Sequence, residues 1–404
     1  MKIVYLHQYF TTPEMAGGTR SYTMALHLVQ AGHEVHMVTA YRDPTARRGG
    51  WRERVDGIQV HWIPVQYSNH MGFRQRLGAF AEFAVKSARV AASIRADLVF
   101  ATSTPLTIAL PGMYAAWRLG APMLLEVRDL WPELPIAVGE LRNPVLIGLA
   151  RWLERLAYRR AARVIALSPG MAEGVVRAGY PSRRVAIVPN ACDLARFQNA
   201  CGAIRDVFPD LPIHNGDRLV LYGGTLGRIN GVSYLVRIAA HAATRAPHFK
   251  FLIVGDGAER GSIEGEAERL GLLNKTVFLR PPVEKHRMPS LLAGAHLATS
   301  LFIDLPEMWS NSANKFFDTL AAGRPVMINY SGWQADLLRD SGAGIVVPPN
   351  DPGQAAGILV EFLASPAAVR SAGLAAQRLA AEEFDIDRLA ARFVRVVEEA
   401  VGTG

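Results

Sequence analysis

Lys2-Ile3-Val4-Tyr5-Leu6, a polar loop from His7 to Thr19 holding Gly17-Gly18, an amphipathic stretch from Arg20 to Ala31, Gly32, and then Val35-His36-Met37-Val38. This opening decides the fold. Its first and last runs are short and apolar, as strands buried on both faces are. The middle stretch has helical length, and Gly32 supplies a C-terminal cap. Strand, helix and strand make one βαβ unit, and repetition of it predicts a parallel sheet with helices on both faces.

Outward from there the alternation continues through Gln59–Ile63, Leu98–Ala101, Met123–Val127, Val164–Leu167 and Val185–Val188. It then breaks. Asn190-Ala191-Cys192-Asp193, Pro209-Asp210, Pro212 and Asn215-Gly216-Asp217 are turn-rich. A second series starts at Leu219–Tyr222 and runs through Phe251–Val254, Val277–Leu279, Leu297–Ser300, Pro325–Ile328 and Gly344–Val347. The chain closes in helical sequence, clearest from Leu389 to Val401. The reading is α/β: an N-terminal Rossmann-like domain over 1–195, a linker over 196–217, a C-terminal Rossmann-like domain over 218–384, and a helix over 385–404 that returns to the first domain. Such sheets bind ligands beyond the carboxyl ends of their strands, and two of them place the expected site in a cleft.

Bulk composition agrees. The chain has 404 residues, half of them hydrophobic and a fifth charged, enough for two filled cores and too regular for disorder. The net charge of +8 suits an anionic partner, a nucleotide or a phospholipid surface, or else a solvated basic face. No zinc-finger spacing or other nucleic-acid motif is visible, so nucleic acid is not expected. Cys192 and Cys201 are too few for a disulfide framework and read as structural, in a reducing compartment. The N-terminus runs straight into a strand without a signal-peptide pattern, and no apolar run approaches the ~18 residues that span a bilayer. A cytoplasmic protein is the expectation.

Four stretches carry candidate chemistry. Gly17-Gly18-Thr19-Arg20 joins the first loop to the first helix, where glycine admits a ligand to the backbone and the helix N-terminus favours negative charge. A phosphate or an acceptor oxygen would suit it; so would a plain flexible turn. Gly223-Gly224-Thr225-Leu226-Gly227-Arg228 repeats the arrangement in the second series, with Gly231 opening the next helix, and reads as a diphosphate cradle. Gly255-Asp256-Gly257 reads as a turn that shapes the site. The richest stretch is Asn314-Lys315-Phe316-Phe317-Asp318-Thr319-Leu320-Ala321-Ala322-Gly323-Arg324-Pro325-Val326. As a helix it puts Asn314 and Lys315 at its mouth and Asp318 one turn on. Lysine there neutralises phosphate, and the aspartate accepts from ribose hydroxyls. The structural alternative is a surface ion pair.

With these residues in place, the chain resembles the retaining GT-B glycosyltransferases related to glycogen and sucrose synthases, and within them the branch that builds bacterial polysaccharides, including L-fucosamine transferase-like enzymes. The likeness covers nearly the whole chain. It rests on His7-Gln8-Tyr9-Phe10, on Glu126 to Glu133 around Arg128-Asp129, on Ala166-Leu167-Ser168-Pro169-Gly170-Met171, on Val188-Pro189-Asn190 with Asp193 and Phe197, on Asn314–Val326, and on Gly332-Trp333. The resemblance implies two Rossmann-like domains facing across a cleft. It implies a nucleotide-diphosphate sugar donor, UDP-linked, held by the second domain, and a glycan or polyprenyl-linked glycan acceptor held by the first. It implies transfer with retention, without metal or cofactor. Asp129, Arg228 and Lys315 are the catalytic candidates, and Gly17, Gly18, Arg128, Gly224, Thr225, Asn230, Asn314 and Asp318 the substrate-binding ones.

There are departures. The family's paired glutamates fall here on Ser310 and Asp318, and Glu307 is the nearest replacement for the missing carboxylate. Its Arg and Lys of the second Gly-rich loop fall on Thr225 and Asn230, which shifts cationic work to Arg228 and Lys315. Arg128 precedes Asp129 where many relatives have His. Two other functions stay open: a nucleotide-sugar 2-epimerase, and a non-catalytic sugar-nucleotide-binding protein. His33 and His36, three apart, should point to opposite faces rather than share a metal. Finally, Phe73, Leu77, Phe80, Ala84, Ala88 and Ala91, flanked by Arg74, Arg76, Lys86, Arg89 and Arg95, recur at helical spacing. Residues 151–163 mix Trp152, Leu153, Leu156 and Tyr158 with arginines. An anionic membrane surface, at the inner face of the plasma membrane, is one reading; an apolar stripe turned into the core is the other.

Overall fold

A computed structural model describes residues 1–15, 17–41, 51–67, 71–198 and 204–402, with the backbone alone of 73 and 74. Cys201 and the side chains of Phe73 and Arg74 therefore lie outside the described residues. By its contacts the chain divides into Met1–Pro189 with Ser310–Ser312 and Asp387–Gly404, and Asn190–Trp309 with Ala313–Ile386.

The first unit is an eight-stranded sheet: β1 Lys2–Leu6, β2 Glu34–Tyr41, β3 Arg52–Val55, β4 Ile58–Pro64, β5 Leu98–Thr102, β6 Met123–Val127, β7 Ala161–Ala166 and β8 Val185–Ile187, in the order β3-β4-β2-β1-β5-β6-β7-β8. All neighbours are parallel except β3, which turns back on β4. The sequence reading carried no strand at β3. Its residues are polar and mostly exposed because it is an edge strand. The turn itself is Asp56-Gly57, both at positive φ (48° and 89°), the backbone a two-residue hairpin demands. Strands β1, β5 and β6 are apolar runs with almost no exposure, since helices cover both faces. These helices are α1 Arg20–Gln30, α2 Phe73–Ser93, α3 Ala109–Leu119, α4 Glu133–Ala137, α5 Pro144–Arg160 and α6 Pro169–Arg177.

The second unit has α7 Leu194–Gln198, α8 Ile204–Val207, and a six-stranded parallel sheet of β9 Arg218–Gly223, β10 Phe249–Val254, β11 Val277–Arg280, β12 Leu297–Ser300, β13 Val326–Ile328 and β14 Gly344–Val346. The strand order is β11-β10-β9-β12-β13-β14. Its helices are α9 Ser233–Ala243, α10 Arg260–Arg269, α11 Met288–Gly294, α12 Asn314–Ala321, α13 Trp333–Ser341, α14 Pro352–Ala364 and α15 Pro366–Glu383. The division falls after Pro189, short of the boundary read at 195. Much of the stretch read as a linker is folded here, with Ile204, Phe208 and Leu211 buried.

The last helix, α16 Ile386–Val401, belongs from Asp387 onward to the first unit. Its Phe393 meets Phe100 edge-on at 5.2 Å, and Glu398 and Glu399 reach His33 and Arg163, each at 3.1 Å. His33 and His36 do part: His36 turns to His61 at 3.0 Å and to Glu34 at 2.8 Å.

Both sheets reverse their winding once, between β1 and β5 in the first and between β9 and β12 in the second. That is the switch point beside which doubly wound sheets bind ligands.

Candidate active site

In the first unit the carboxyl ends of β1, β5 and β6 converge. Arg128 and Asp129 follow β6, Ser103 and Thr104 follow β5, and His7 follows β1. Thr104 Oγ1 donates to Asp129 Oδ2 at 2.9 Å, the Arg128 amide donates to Ser103 Oγ at 3.0 Å, and Arg128 Nη1 lies 3.2 Å from His7 Nε2. Asp129 lines a small, mostly apolar pocket with Ser103, Leu106, Leu125, Val127, Trp131 and Tyr158. Burial pushes its carboxyl above the usual range, against the Thr104 hydrogen bond and the Arg128 charge.

One strand position back, Glu126 takes two hydrogen bonds from Arg20, at 2.8 and 3.0 Å, and one from Thr102 at 2.5 Å. Arg20 also donates to the carbonyls of Val188, at 2.8 Å, and Pro189, at 2.5 Å. Burial alone would raise the Glu126 carboxyl; Arg20, helped by Arg128, holds it below its ordinary value. The pair ties α1, β6 and the end of β8 together. The sequence motifs contain Arg20 and Glu126, but nothing in their spacing marks the two as partners. Gly17 and Gly18 sit apart from these contacts, on a loop held by Thr11 Oγ1, which donates to the Gly18 carbonyl at 2.9 Å. Gly17 is at φ 135°, and a Cβ there would stand 3.1 Å from the Thr11 methyl. Gly17 thus shapes the loop.

In the second unit the Gly-rich turn after β9 and the mouth of α12 do come together. Lys315 Nζ is 3.4 Å from Tyr222 Oη and over the rings of Tyr222 and Phe302, 5.1 and 5.4 Å from their centroids. With the Asn230 amide turned so that both its ends are satisfied, its nitrogen donates to the Thr225 carbonyl at 3.0 Å and its oxygen accepts from Lys315 Nζ at 3.2 Å. Gly224 must be glycine: it sits at φ 152°, and a Cβ would stand 3.2 Å from Lys315 Cε. Gly255 is fixed by the same turn, because its Cβ would fall 1.9 Å from the Gly224 carbonyl. Asn329 holds Phe302 in place, accepting from its amide at 3.0 Å and donating to its carbonyl at 2.8 Å. Lys315 has no carboxylate partner among the described residues, and burial brings its amine down to about 8.

Asp318 faces other company. The charges that act on it are Arg196, Lys285 and Asp193, and burial raises its carboxyl to about 6 in spite of the two cations. Arg196 donates from its guanidinium to the Lys285 carbonyl and from its backbone to Asp193 Oδ1 at 3.2 Å. Burial, with the Arg196 charge, brings Lys285 to about 8. Arg196 and Lys285 were missed as site residues, since neither stands in a motif and only folding unites them. Arg228 and Asn314 are exposed, and no hydrogen bond or ion pair engages their side chains among the described residues.

The missing carboxylate has a structural counterpart. Ser310 accepts at its carbonyl from Ser168 Oγ at 2.6 Å, and its Oγ crowds Gly170, whose Cβ would lie 2.3 Å away. Serine at 310 suits this tight seat. Glu307 is half-buried and pairs with no cation among the described residues. No three or more His, Cys, Asp or Glu side chains cluster as metal ligands among the described residues.

Two doubly wound units, each with polar residues gathered at its switch point, define the GT-B class of glycosyltransferases. Residues 16–191 match the glycosyl transferase 4-like domain and residues 217–365 the glycosyl transferases group 1 domain, and the chain belongs to this family. It is similar to a protein of Escherichia coli assigned to colanic acid biosynthesis as glycosyl transferase WcaI, 26% identical over 70% of this chain and 72% of that one. Among solved structures, the sucrose-phosphate synthase of Thermosynechococcus elongatus superposes with a TM-score of 0.78 at 19% identity, covering 100% of both chains. HepE of Anabaena, solved with UDP and glucose, superposes with a TM-score of 0.74 at 19% identity, covering 99% of this chain and 100% of that one.

Proposed function

We propose that this glycosyltransferase moves a sugar, with retention, from a UDP-linked donor to a glycan or polyprenyl-linked glycan acceptor. The observation that carries the donor half is Lys315: a half-buried lysine whose ammonium has no carboxylate partner among the described residues, set against a glycine where a side chain would be strained. Such a group is stabilised when an anion arrives, and a diphosphate is the anion a glycosyl donor brings. The relatives support the reading, one being assigned to colanic acid biosynthesis and one having been solved with UDP and glucose.

Lys315 also accounts for the family lysine missing at position 230. Its Nζ lies 3.2 Å from the Asn230 amide oxygen, so the ammonium arrives from α12 instead of from the Gly-rich loop. Arg228, exposed on that loop, supplies a second cation, and Asn314 and Thr225 add polar contacts. Asp318 accepts from the ribose hydroxyls. In the reaction the acceptor hydroxyl attacks the anomeric carbon on the face the diphosphate leaves. The bond from that carbon to the phosphate oxygen breaks, the bond to the acceptor oxygen forms, and the proton passes to the departing phosphate. Lys315 and Arg228 stabilise the charge that grows there, so on this reading the chain needs neither metal nor cofactor. Asp129 positions the acceptor or the donor sugar beside Arg128; an Asp129→Asn enzyme should lose at least tenfold in kcat/KM, and full activity would remove it from that role.

The test is a donor screen. Purified protein with UDP-, GDP- and dTDP-sugars and a membrane lipid extract is followed for nucleotide diphosphate release. Release that needs one donor and the extract supports transfer. Epimerised donor, or donor bound without release, overturns it.

A further inference from the structure

Helices α2, α3 and α5 lie on one core of the first unit, contributing Phe83, Ala115 and Ala157 among others to it. Their outer faces are unusual. Trp117 is 71% exposed, Val145 75%, Leu149 56% and Trp152 56%, and Leu77, Val85, Leu110, Tyr114 and Leu146 are exposed too. These residues follow helical stripes: Leu77 and Val85 on α2, Leu110, Tyr114 and Trp117 on α3, Val145, Leu149 and Trp152 on α5. Tyr114 and Trp117 sit side by side, their rings 6.1 Å apart. A scattered exposed leucine means nothing; stripes on three neighbouring helices mark a partner.

Of the apolar residues the sequence suggested for such a face, Leu77 and Trp152 do lie on these outer surfaces. Ala84 and Ala91 are buried and Phe80 is half-buried, while in the second segment Leu153 and Tyr158 are buried. For these residues the apolar spacing describes the inner faces.

The chemistry of the rim names the partner. The three helices hold nine Lys and Arg against two Asp and Glu, and one of the two, Glu154, is buried. Lys86 is paired with Glu82, Arg76 with Glu140 and Arg151 with Glu133. Arg89, Arg118, Arg155, Arg159 and Arg160 are exposed and pair with no carboxylate among the described residues. Trp152 shares its side of α5 with Arg155 and Arg159, three and seven positions on. Tryptophan and tyrosine interleaved with arginine fit the boundary of an anionic bilayer, where rings enter the headgroup layer and guanidinium groups meet lipid phosphate.

We propose that the outer faces of α2, α3 and α5 dock on an anionic lipid surface, with Trp117 and Trp152 as the inserted side chains. This deepens the lipid-linked-acceptor part of the proposed function. Tyr158 of α5 and Leu106, just before α3, also wall the Asp129 pocket, so the docking helices and the pocket share elements.

The test uses the full chain with neither donor nor acceptor, so its outcome is independent of the transferase assay. Sedimentation with phosphatidylcholine vesicles, with and without phosphatidylglycerol, is compared for wild type, a Trp117→Ser/Trp152→Ser pair and an Arg155→Glu/Arg159→Glu pair. Wild type should bind the anionic vesicles in a salt-sensitive way, and each pair should lose roughly tenfold or more. Thermal unfolding checks that the variants fold. Wild-type tryptophan quenching by brominated anionic lipid gives a readout that needs no variant. Equal binding by all three proteins, absence of binding and quenching in wild type, or a self-association lost in the tryptophan pair while vesicles go unbound, would overturn the proposal; the last would make the patch a protein interface.

Discussion

The two switch points handle charge in opposite ways. In the first unit one buried pair is matched: Arg20 satisfies Glu126 and two carbonyls. In the second, Lys315 has aromatic rings, a phenol and an amide around it, but no carboxylate among the described residues. A matched buried pair is a finished structural joint. A half-buried cation without a carboxylate partner is an unfinished one, which an anionic ligand would complete. The difference separates scaffold from binding site better than either loop's glycines do.

The scaffold side should break hardest. Glu126→Gln leaves the Arg20 guanidinium buried against a neutral amide. Loss of one partner of a buried pair costs about 3–5 kcal/mol. Denaturant unfolding should show that loss, and it should shrink as pH falls, because the depressed Glu126 carboxyl stabilises the wild type only while ionised. A wild-type-like midpoint would mean the pair holds nothing together.

On the ligand side the stability effect should be small and the functional one large. Lys315→Met keeps the bulk of the side chain and should lose about 100-fold in kcat/KM, the scale of one electrostatic contact to a developing charge. An Asn230→Lys change added to Lys315→Asn returns an ammonium to the family's loop position and should restore roughly tenfold of that loss. Failure of the swap alone would show that α12, and not the charge, is what matters.

A pH titration sharpens the same point. The free amine titrates near 8, and a bound diphosphate raises that value. Donor affinity is therefore full below pH 8 and falls, at most tenfold per pH unit, as pH rises above it. Stability moves the other way. With the folded amine at about 8 and the ordinary value at 10.5, the wild type gains stability as pH climbs between the two. The Met variant should show neither slope.

Much of the fold was legible because central parallel strands, buried on both faces, read as unbroken apolar runs. β3 was not, since an edge strand of Arg, Glu, Arg and Val carries no such run. Lys315 and Asp318 could be read because a helix mouth concentrates them in one motif. Arg196 and Lys285 could not, because they are far apart in sequence and meet only in the folded unit. The apolar faces of α3 and the start of α5 were also missed. Periodicity finds the face a helix buries; which apolar residues stay outside depends on what packs against it.

The smallest expected effect is the most discriminating. Asp318 stands between the two extremes, a carboxylate beside Arg196 and Lys285 whose burial still outweighs both cations. Its folded value of about 6 lies above the ordinary 3.8, so ionisation at neutral pH works against the fold, and wild-type stability should rise as pH falls from 6 towards 4. Asp318→Asn removes that cost while keeping the shape. At pH 7 it should raise the melting temperature by a few degrees, on the order of 1 kcal/mol after allowing for the partial exposure of the residue. It should also weaken donor binding roughly tenfold, since an amide oxygen accepts from ribose hydroxyls less strongly than a carboxylate does. A carboxylate that serves the fold would instead lose stability on substitution, and calorimetry with and without UDP separates the two.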